Sequence, residues 1–404
     1  MQALLGAADG TGAVPGRRVA ITGLGVIATC GVGKDAFWRG LLGSAPVGAR
    51  RVEDFDATPL FGPKEVRRVD RFAQFAVAAA EQAIEDAGGL DGLTADPDRA
   101  GVLIGTGVGG LETMETQIIV HHEKGARRVS PFMVPMIMAN AGAASVSMRY
   151  GFRGPCETTV TACAAGTHSV GNAARLIATG RCDVMVAGGS EAGLTPVGVA
   201  AFTNMTALSS SGVSKPFDVG RDGFVMAEGA GILVLEHWDR AVSRGARIYG
   251  EVAGAASSAD AHHITAPSPG GTGAAVCMEQ ALLDAGLAPD DIRHINAHGT
   301  STPLNDAAEA EAIAKVFGTP GPVVTSTKGI TGHMLGAAGA IEAIAAVLTM
   351  ANRLIPPTAG LRELDPEIHL DVVAGEPRPW EPGPVLSNSF GFGGHNGCLV
   401  LLPA

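Results

Sequence analysis

The chain has 404 residues, and at roughly 100–200 residues per domain that length allows two or three domains or one fused core. A formal net charge of −11 makes it a poor general binder of nucleic acid, because such affinity comes mainly from neutralising phosphates. Hydrophobic residues make up 46% but aromatics only 4%, so the interior is aliphatic and small, with the 57 glycines allowing tight turns and close backbone approaches.

Residues 1–17 are small, polar and glycine-rich, and read as a flexible N-terminal segment. They lack a basic stretch followed by an apolar run, so no secretory signal is expected, and no charge-free apolar run of membrane-spanning length follows. "RRVAITGLGVIA" reads as a buried strand. "DRFAQFAVAAAEQAIEDAGG" reads as an amphipathic helix with Asp70 as N-cap and Gly88 just past its end. "RAGVLIGTGVGG" is a second buried strand, "CETTVTAC" a third, and "AAGTHSVGNAARLIATG" a helix closed by Gly180. "CDVMVAGGSEA" and "GAGILVLEHW" are further strands.

Beyond about residue 250 a similar order resumes. "YGEVAGAASSAD" and "IRHINAHG" read as strands, and "NDAAEAEAIAKVFG" as a helix capped by Asn305 or Asp306. Then come the strand "GPVVTSTK", the long helix "MLGAAGAIEAIAAVLTMA" and a closing strand pair around "VLSNSFGFGGHNGCLVLL". Strands alternating with helices predict an α/β fold with sheets buried on both faces. "TVTACAAGTHSVGNAARLIATG" and "VVTSTKGITGHMLGAAGAIEAIAAVL" echo one another as strand, small-residue turn and Gly/Ala-rich helix. The echo predicts two similar halves, residues 18–250 and 251–404, whose two turns meet near a pseudo-two-fold axis. Cys163 would then lie close to Lys328 and His333.

Six cysteines are scattered without CxxC spacing, which argues against a zinc knuckle or a disulfide framework and fits a reducing compartment. Cys163 stands where a buried strand meets a helix start. There a helix dipole would lower a thiol's pKa and favour the nucleophilic thiolate. The competing reading is an inert buried thiol, the common fate of free cysteines. "NAHGTSTPLND" puts His298 in a hydroxyl-rich turn, and "STKGITGHMLGAAG" puts Lys328 and His333 in a glycine turn, both where strands give way to loops. Two such histidines can donate two N–H bonds to one developing oxyanion, although each alone is equally readable as structural. His294 and His298 are four apart on a strand, a poor metal pair. "SNSFGFGGHNG" carries Phe390 and Phe392 among glycines, either a movable gate or a plain bulged turn. "GLGVIA" and "GTGVGG" lack the full dinucleotide fingerprint, and "GGSEAG" lacks the serine-hydrolase spacing.

Taken together and in order, "TACAAG", "NAHGTSTPLND", "STKGITGHMLGAAGAIE" and "SNSFGFGGHN" resemble the β-ketoacyl-acyl carrier protein synthases of the elongating type called synthase II. "SPFMVP", "VMVAGGSEA", "RDGFVMAEGAGILVLE" and "RGARIYGEV" are also similar, so the resemblance spans nearly the whole chain. It implies a thiolase-like fold, two ββαβα-type halves in a five-layered α-β-α-β-α core, a homodimer, and a cytoplasmic enzyme. Its implied chemistry is decarboxylative Claisen condensation, with no metal and no cofactor of its own, since the phosphopantetheine is carried by the partner acyl carrier protein. Cys163 would hold the acyl chain as a thioester, while His298 and His333 promote malonyl decarboxylation and hold the enolate oxygen. Lys328 would order the site in a network with Glu342 and Asp306. The N–H groups of Cys163 and Phe392 would form the oxyanion hole, with Phe392 as gate, and Thr300 and Thr302 would contact the pantetheine arm.

The resemblance places the acyl pocket at Val108, Met133 and Phe202. An acidic carrier protein would need a local basic surface, and Lys64, Arg67 and Arg68 together with Lys124, Arg127 and Arg128 are the densest candidates. Three departures stand out: the loop "ALSSSGVSKPFD" is short, Thr206 stands where a basic residue is often found, and His395 replaces a common threonine. Two other readings keep the fold. One is a ketosynthase of a polyketide or other specialised pathway, or an inhibitor-tolerant duplicate of the fatty acid enzyme. The other is a non-catalytic acyl-binding or partner subunit, against which the retention of Cys163, His298, Lys328 and His333 together speaks.

Overall fold

The computed structural model describes residues 18–93 and 96–404; the segment 1–17 read above as flexible lies outside the described residues. Ten strands follow one another across a continuous mixed sheet. From one edge the order is Cys156–Glu157, Ala100–Gly105, Val184–Glu191, Gly229–His237 and Val19–Ala28. It continues through Gly250–Ala259, His395–Pro403, Val385–Gly391, His294–Asn296 and Val323–Thr325. The centre is an antiparallel contact of Ala20 with Glu251 and Ile21 with Gly250. Moving outward on either side, the next two pairings are antiparallel and the last two parallel. Each half of the sheet therefore repeats the other's wiring, which is the internal echo in three dimensions.

Helices complete five layers. Ala165–Ala178 and Ala338–Asn352 pack against each other between the two half-sheets. Arg71–Asp86 covers the outer face of one half and Thr272–Ala285 that of the other. Small residues make the middle layer possible. A Cβ at Gly166 would lie 2.8 Å from the Ala340 nitrogen, and one at Gly339 would lie 2.0 Å from Thr167 Oγ1. Residues 338–350 are buried on every side, so this helix is apolar all round rather than amphipathic. The segment Leu335–Asn352 is thus long and apolar enough to cross a membrane, yet it lies between the sheets.

Local signals held at several ends. Asp70 caps its helix by accepting from the Phe72 N–H at 3.2 Å, and Gly180 closes the helix Ala165–Ala178 with φ 74°. Two expectations are corrected. "CETTVTAC" is strand only at Cys156–Glu157; Thr158–Thr161 lie outside any strand and Ala162–Ala164 form a 3-10 turn. The β-branched run favours a strand locally. Here the chain must instead leave the sheet edge and dive between the layers, and Ala162 takes a left-handed φ of 49° to do so. The helix Pro303–Phe317 is capped by Thr302 rather than Asn305 or Asp306. Pro303 suits the first helical position, where its missing N–H costs nothing, and Asp306 is turned inward to other partners.

Candidate active site

Cys163 sits in the 3-10 turn at the start of Ala165–Ala178, buried between the half-sheets. Burial pushes its thiol up to about 11, against the pull of the Lys328 charge and of a hydrogen bond from the Phe392 N–H. This corrects the expectation of a resting thiolate at a helix start. Desolvation disfavours the charged form, so the thiol is activated by groups around it.

His333 Nε2 lies 3.1 Å from Cys163 Sγ. His298 meets His333 edge to face, with centroids 5.4 Å apart. Lys328 is completely buried; its ammonium donates to the His298 carbonyl at 2.6 Å and to His298 Nδ1 at 3.3 Å, and it pairs with Glu342. An ammonium has only donors, so Nδ1 of His298 accepts and the proton sits on Nε2, which is free to donate. Burial and the Lys328 charge hold both imidazoles well below the usual histidine range, with His333 adding to the effect on His298. Both rings are therefore neutral donors at neutral pH. Sγ and one nitrogen from each ring lie within 4.8 Å of one another, but the adjacent ammonium opposes a divalent ion there.

The sequence reading missed Glu309. Its buried carboxylate accepts the N–H groups of His298 at 2.8 Å and Gly299 at 2.7 Å, and the amide of Asn388 at 3.2 Å. Asp306, one turn earlier on the same helix, accepts from the N–H groups of Ser301 at 3.1 Å and Phe217 at 2.9 Å. Two acids three residues apart on the inner face were the available signal, since acids rarely face inward unless partnered. Asp306 thus braces the turn bearing Thr300 and Thr302, without touching Lys328. The two threonine hydroxyls are 2.9 Å apart.

A cavity of about 430 Å³ opens onto Cys163, His298 and His333, bounded also by Val108, Phe202, Thr206, Thr300, Thr302 and Phe392. The Phe392 and Phe202 rings, both in its wall, lie 6.4 Å apart. A Cβ at Gly391 would stand 2.9 Å from the Thr161 carbonyl oxygen and 3.0 Å from the Cys163 nitrogen, so a side chain there would crowd the Cys163 turn. Met133 does not bound this cavity within the single chain. It opens the short helix Met133–Ile137, whose Met136–Ile137 backbone packs on Gly110 and leaves Met133 a turn away beside exposed Phe132 and Val134. All six basic candidates are exposed, and Arg68 stacks over Phe132, four residues beyond Arg128, at 4.4 Å. His395 begins a strand and is half-buried.

Residues 43–241 match the β-ketoacyl synthase N-terminal domain, and residues 249–362 match the β-ketoacyl synthase C-terminal domain. The chain belongs to the β-ketoacyl synthase family. A 3-oxoacyl-[acyl-carrier-protein] synthase 2 from Synechocystis sp. is 46% identical to this synthase over 407 residues, covering 95% of this chain and 97% of that one. Among solved structures, the ishigamide ketosynthase/chain length factor superposes with a TM-score of 0.91 at 35% identity, covering 96% of this chain and all of that one. A type II PKS ketosynthase, solved with its acyl carrier protein and bound to the hexaketide, gives a TM-score of 0.88 at 34% identity, with 96% of this synthase and 100% of that chain covered. The expected thiolase-like fold is borne out, and the synthase is a condensing acyltransferase.

Proposed function

We propose that this synthase elongates fatty acyl chains by two carbons, joining malonyl-acyl carrier protein to an acyl group held on Cys163. The observation that carries the reading is the convergence on one sulfur of a neutral histidine at 3.1 Å, a backbone N–H and a buried lysine charge. As Sγ attacks the acyl thioester carbonyl, His333 Nε2–H, the Phe392 N–H and Lys328 stabilise the forming thiolate. The departing pantetheine thiolate takes the proton. The carbonyl oxygen is held by the N–H groups of Cys163 and Phe392. Malonyl then enters beside Thr300 and Thr302. Carbon dioxide leaves, and Nε2–H of His298 and of His333 hold the enolate oxygen. The carbanion attacks the Cys163 thioester and expels the thiolate, which regains a proton. No strong base is needed, because decarboxylation generates the nucleophile. No resident cofactor enters, since the phosphopantetheine arrives on the carrier protein.

Val108 and Phe202 would contact the acyl chain. The basic face around Arg68 and Arg128 suits an acidic carrier. Ile118, Ile119, Phe132, Val134, Met138 and Val160 are exposed apolar side chains in the single chain, of the kind a second copy would cover. The enzyme would act in the cytoplasm as a homodimer. A second reading, a specialised polyketide ketosynthase, draws support from the polyketide neighbours in the fold comparison. Incubation with acyl- and malonyl-carrier protein, followed by mass spectrometry, separates the two. Wild type should form a thioester that Cys163→Ser abolishes, and should release saturated 3-oxoacyl products. Absence of the thioester refutes the synthase reading; acylation without elongation of saturated chains favours the specialised one. Charge reversal at Arg68 or Arg128 should raise the KM for carrier substrates and weaken its salt dependence.

A further inference from the structure

Glu191 ends the strand Val184–Glu191 with a fully buried carboxylate that none of the chemistry above uses. Its Oε1 accepts from the Thr106 hydroxyl at 3.0 Å. Its Oε2 accepts from the N–H of Gly107 at 2.6 Å and the N–H of Gly336 at 3.0 Å. The Val108 N–H adds a further bond. Among the described residues no lysine or arginine forms an ion pair with it. A charge buried without a counterion is costly unless its hydrogen bonds are worth keeping.

The partners come from two places. Thr106–Val108 follow the strand Ala100–Gly105 in the first half of the chain, and Gly107 and Val108 bound the cavity that opens onto Cys163. Gly336 lies in the turn Leu335–Ala337, three residues after His333, in the second half. Leu335 bounds the cavity and holds a left-handed φ of 44°, a conformation that needs outside support. The two segments touch so closely that a Cβ at Gly336 would sit 2.2 Å from the Gly107 nitrogen. No side chain could therefore bridge them from within; the carboxylate reaches both backbones from the strand behind.

We propose that Glu191 is a positioning residue that fixes the cavity wall at Gly107–Val108 and the turn after His333 as one unit, and so sets which acyl chain lengths Cys163 accepts. The inference rests on the synthase reading and adds a specificity device to it. When the clamp loosens, the wall that meets the acyl chain and the turn that carries His333 shift together. Acyl selectivity and malonyl decarboxylation should then change in the same variant.

The test compares wild type, Glu191→Ala, Glu191→Gln and Thr106→Val as full-length protein. It reads kcat/KM for a short against a long saturated acyl-carrier donor, and malonyl-carrier decarboxylation without acyl donor. Glu191→Ala should shift the short-to-long ratio and lower decarboxylation, each on the order of tenfold. Glu191→Gln keeps one oxygen for Gly107 and Gly336 and an amide that can donate to Thr106, so it should restore both readouts. Thr106→Val should shift the ratio in the same direction by less. A folded Glu191→Ala with an unchanged ratio overturns the proposal, as does a Glu191→Gln no better than Ala. If Glu191→Ala does not fold, an unchanged ratio in Thr106→Val overturns it. If wild type itself forms no thioester on Cys163, the synthase reading fails and takes this inference with it.

Discussion

Replacing Lys328 with methionine separates what this lysine does for stability from what it does for catalysis. The ammonium is fully buried and has three acceptors: the His298 carbonyl at 2.6 Å, His298 Nδ1 at 3.3 Å and the Glu342 carboxylate. The second Glu342 oxygen, Oε2, has no hydrogen-bond partner among the described residues. Even with Lys328 present, burial pushes Glu342 up to about 7. Without it, Glu342 takes up a proton at neutral pH and the His298 carbonyl loses its donor. Removing one partner of a buried pair costs about 3–5 kcal/mol. Adding Glu342→Gln removes the stranded acid, so the double variant should regain most of that stability. Catalysis should not follow. Without a donor at Nδ1, His298 is released to place its proton there, and Nε2 can no longer donate to the enolate. Losing one oxyanion donor lowers kcat by about 10²–10³-fold. Urea unfolding at neutral pH and malonyl-carrier decarboxylation read the two effects on wild type, Lys328→Met, Glu342→Gln and the double variant. If the double variant stays as unstable as Lys328→Met, the buried-pair reasoning is wrong. If it regains decarboxylation, the tautomer reasoning is wrong.

Three further outcomes are expected. His298→Ala should slow decarboxylation by about 10²-fold or more while sparing acylation of Cys163, whereas His333→Ala, whose ring also faces Sγ, should slow both steps; equal losses of acylation in the two variants contradict the assigned roles. Glu309 is pushed up to about 7, mainly by burial, against an ordinary value of 4.5. A raised carboxyl pKa means the native state favours the protonated form, so the stability it lends is full below the ordinary value and is lost as pH rises through about 7. Glu309→Gln should therefore gain on wild type by roughly 3 kcal/mol in urea unfolding between about pH 5 and about pH 8; a constant difference rules this out. At Gly329 a Cβ would stand 1.8 Å from the Ala359 carbonyl oxygen, a backbone atom that cannot swing aside. Gly329→Ala should cost about 1–3 kcal/mol and displace Lys328. Gly286→Ala, at φ 68° in open space, should cost about 1 kcal/mol and leave activity intact. Equal losses of activity in the two would show that crowding at Gly329 is unimportant.

Much of this molecule is written locally. Strand and helix periods, the Asp70 cap and the glycines closing helices depend on neighbours a few residues away, and they were legible. The paired segments around Cys163 and Lys328–His333 were legible too, because a duplicated α/β unit must place corresponding turns together. Other features depend on residues distant in the chain. Glu309 is marked in the sequence only by Asp306 one turn earlier, and Glu191 is a single acid at a strand end. Their partners are backbone N–H groups, which carry no sequence signature, and for Glu191 these lie on separate halves of the fold. The thiol of Cys163 looked activated from its place at a helix start, yet burial by both half-sheets outweighs that and hands activation to His333, Lys328 and Phe392. Met133 is half-buried on the helix Met133–Ile137 and does not bound the cavity of the single chain. The sequence by itself determined the secondary-structure units, their repetition and the identity of the reactive side chains, since these follow from short-range geometry and residue chemistry. Only the tertiary structure decided which of those side chains are charged, which nitrogen holds the proton and which backbone groups they hold, because desolvation and distant hydrogen bonds arise only once the two halves close on each other.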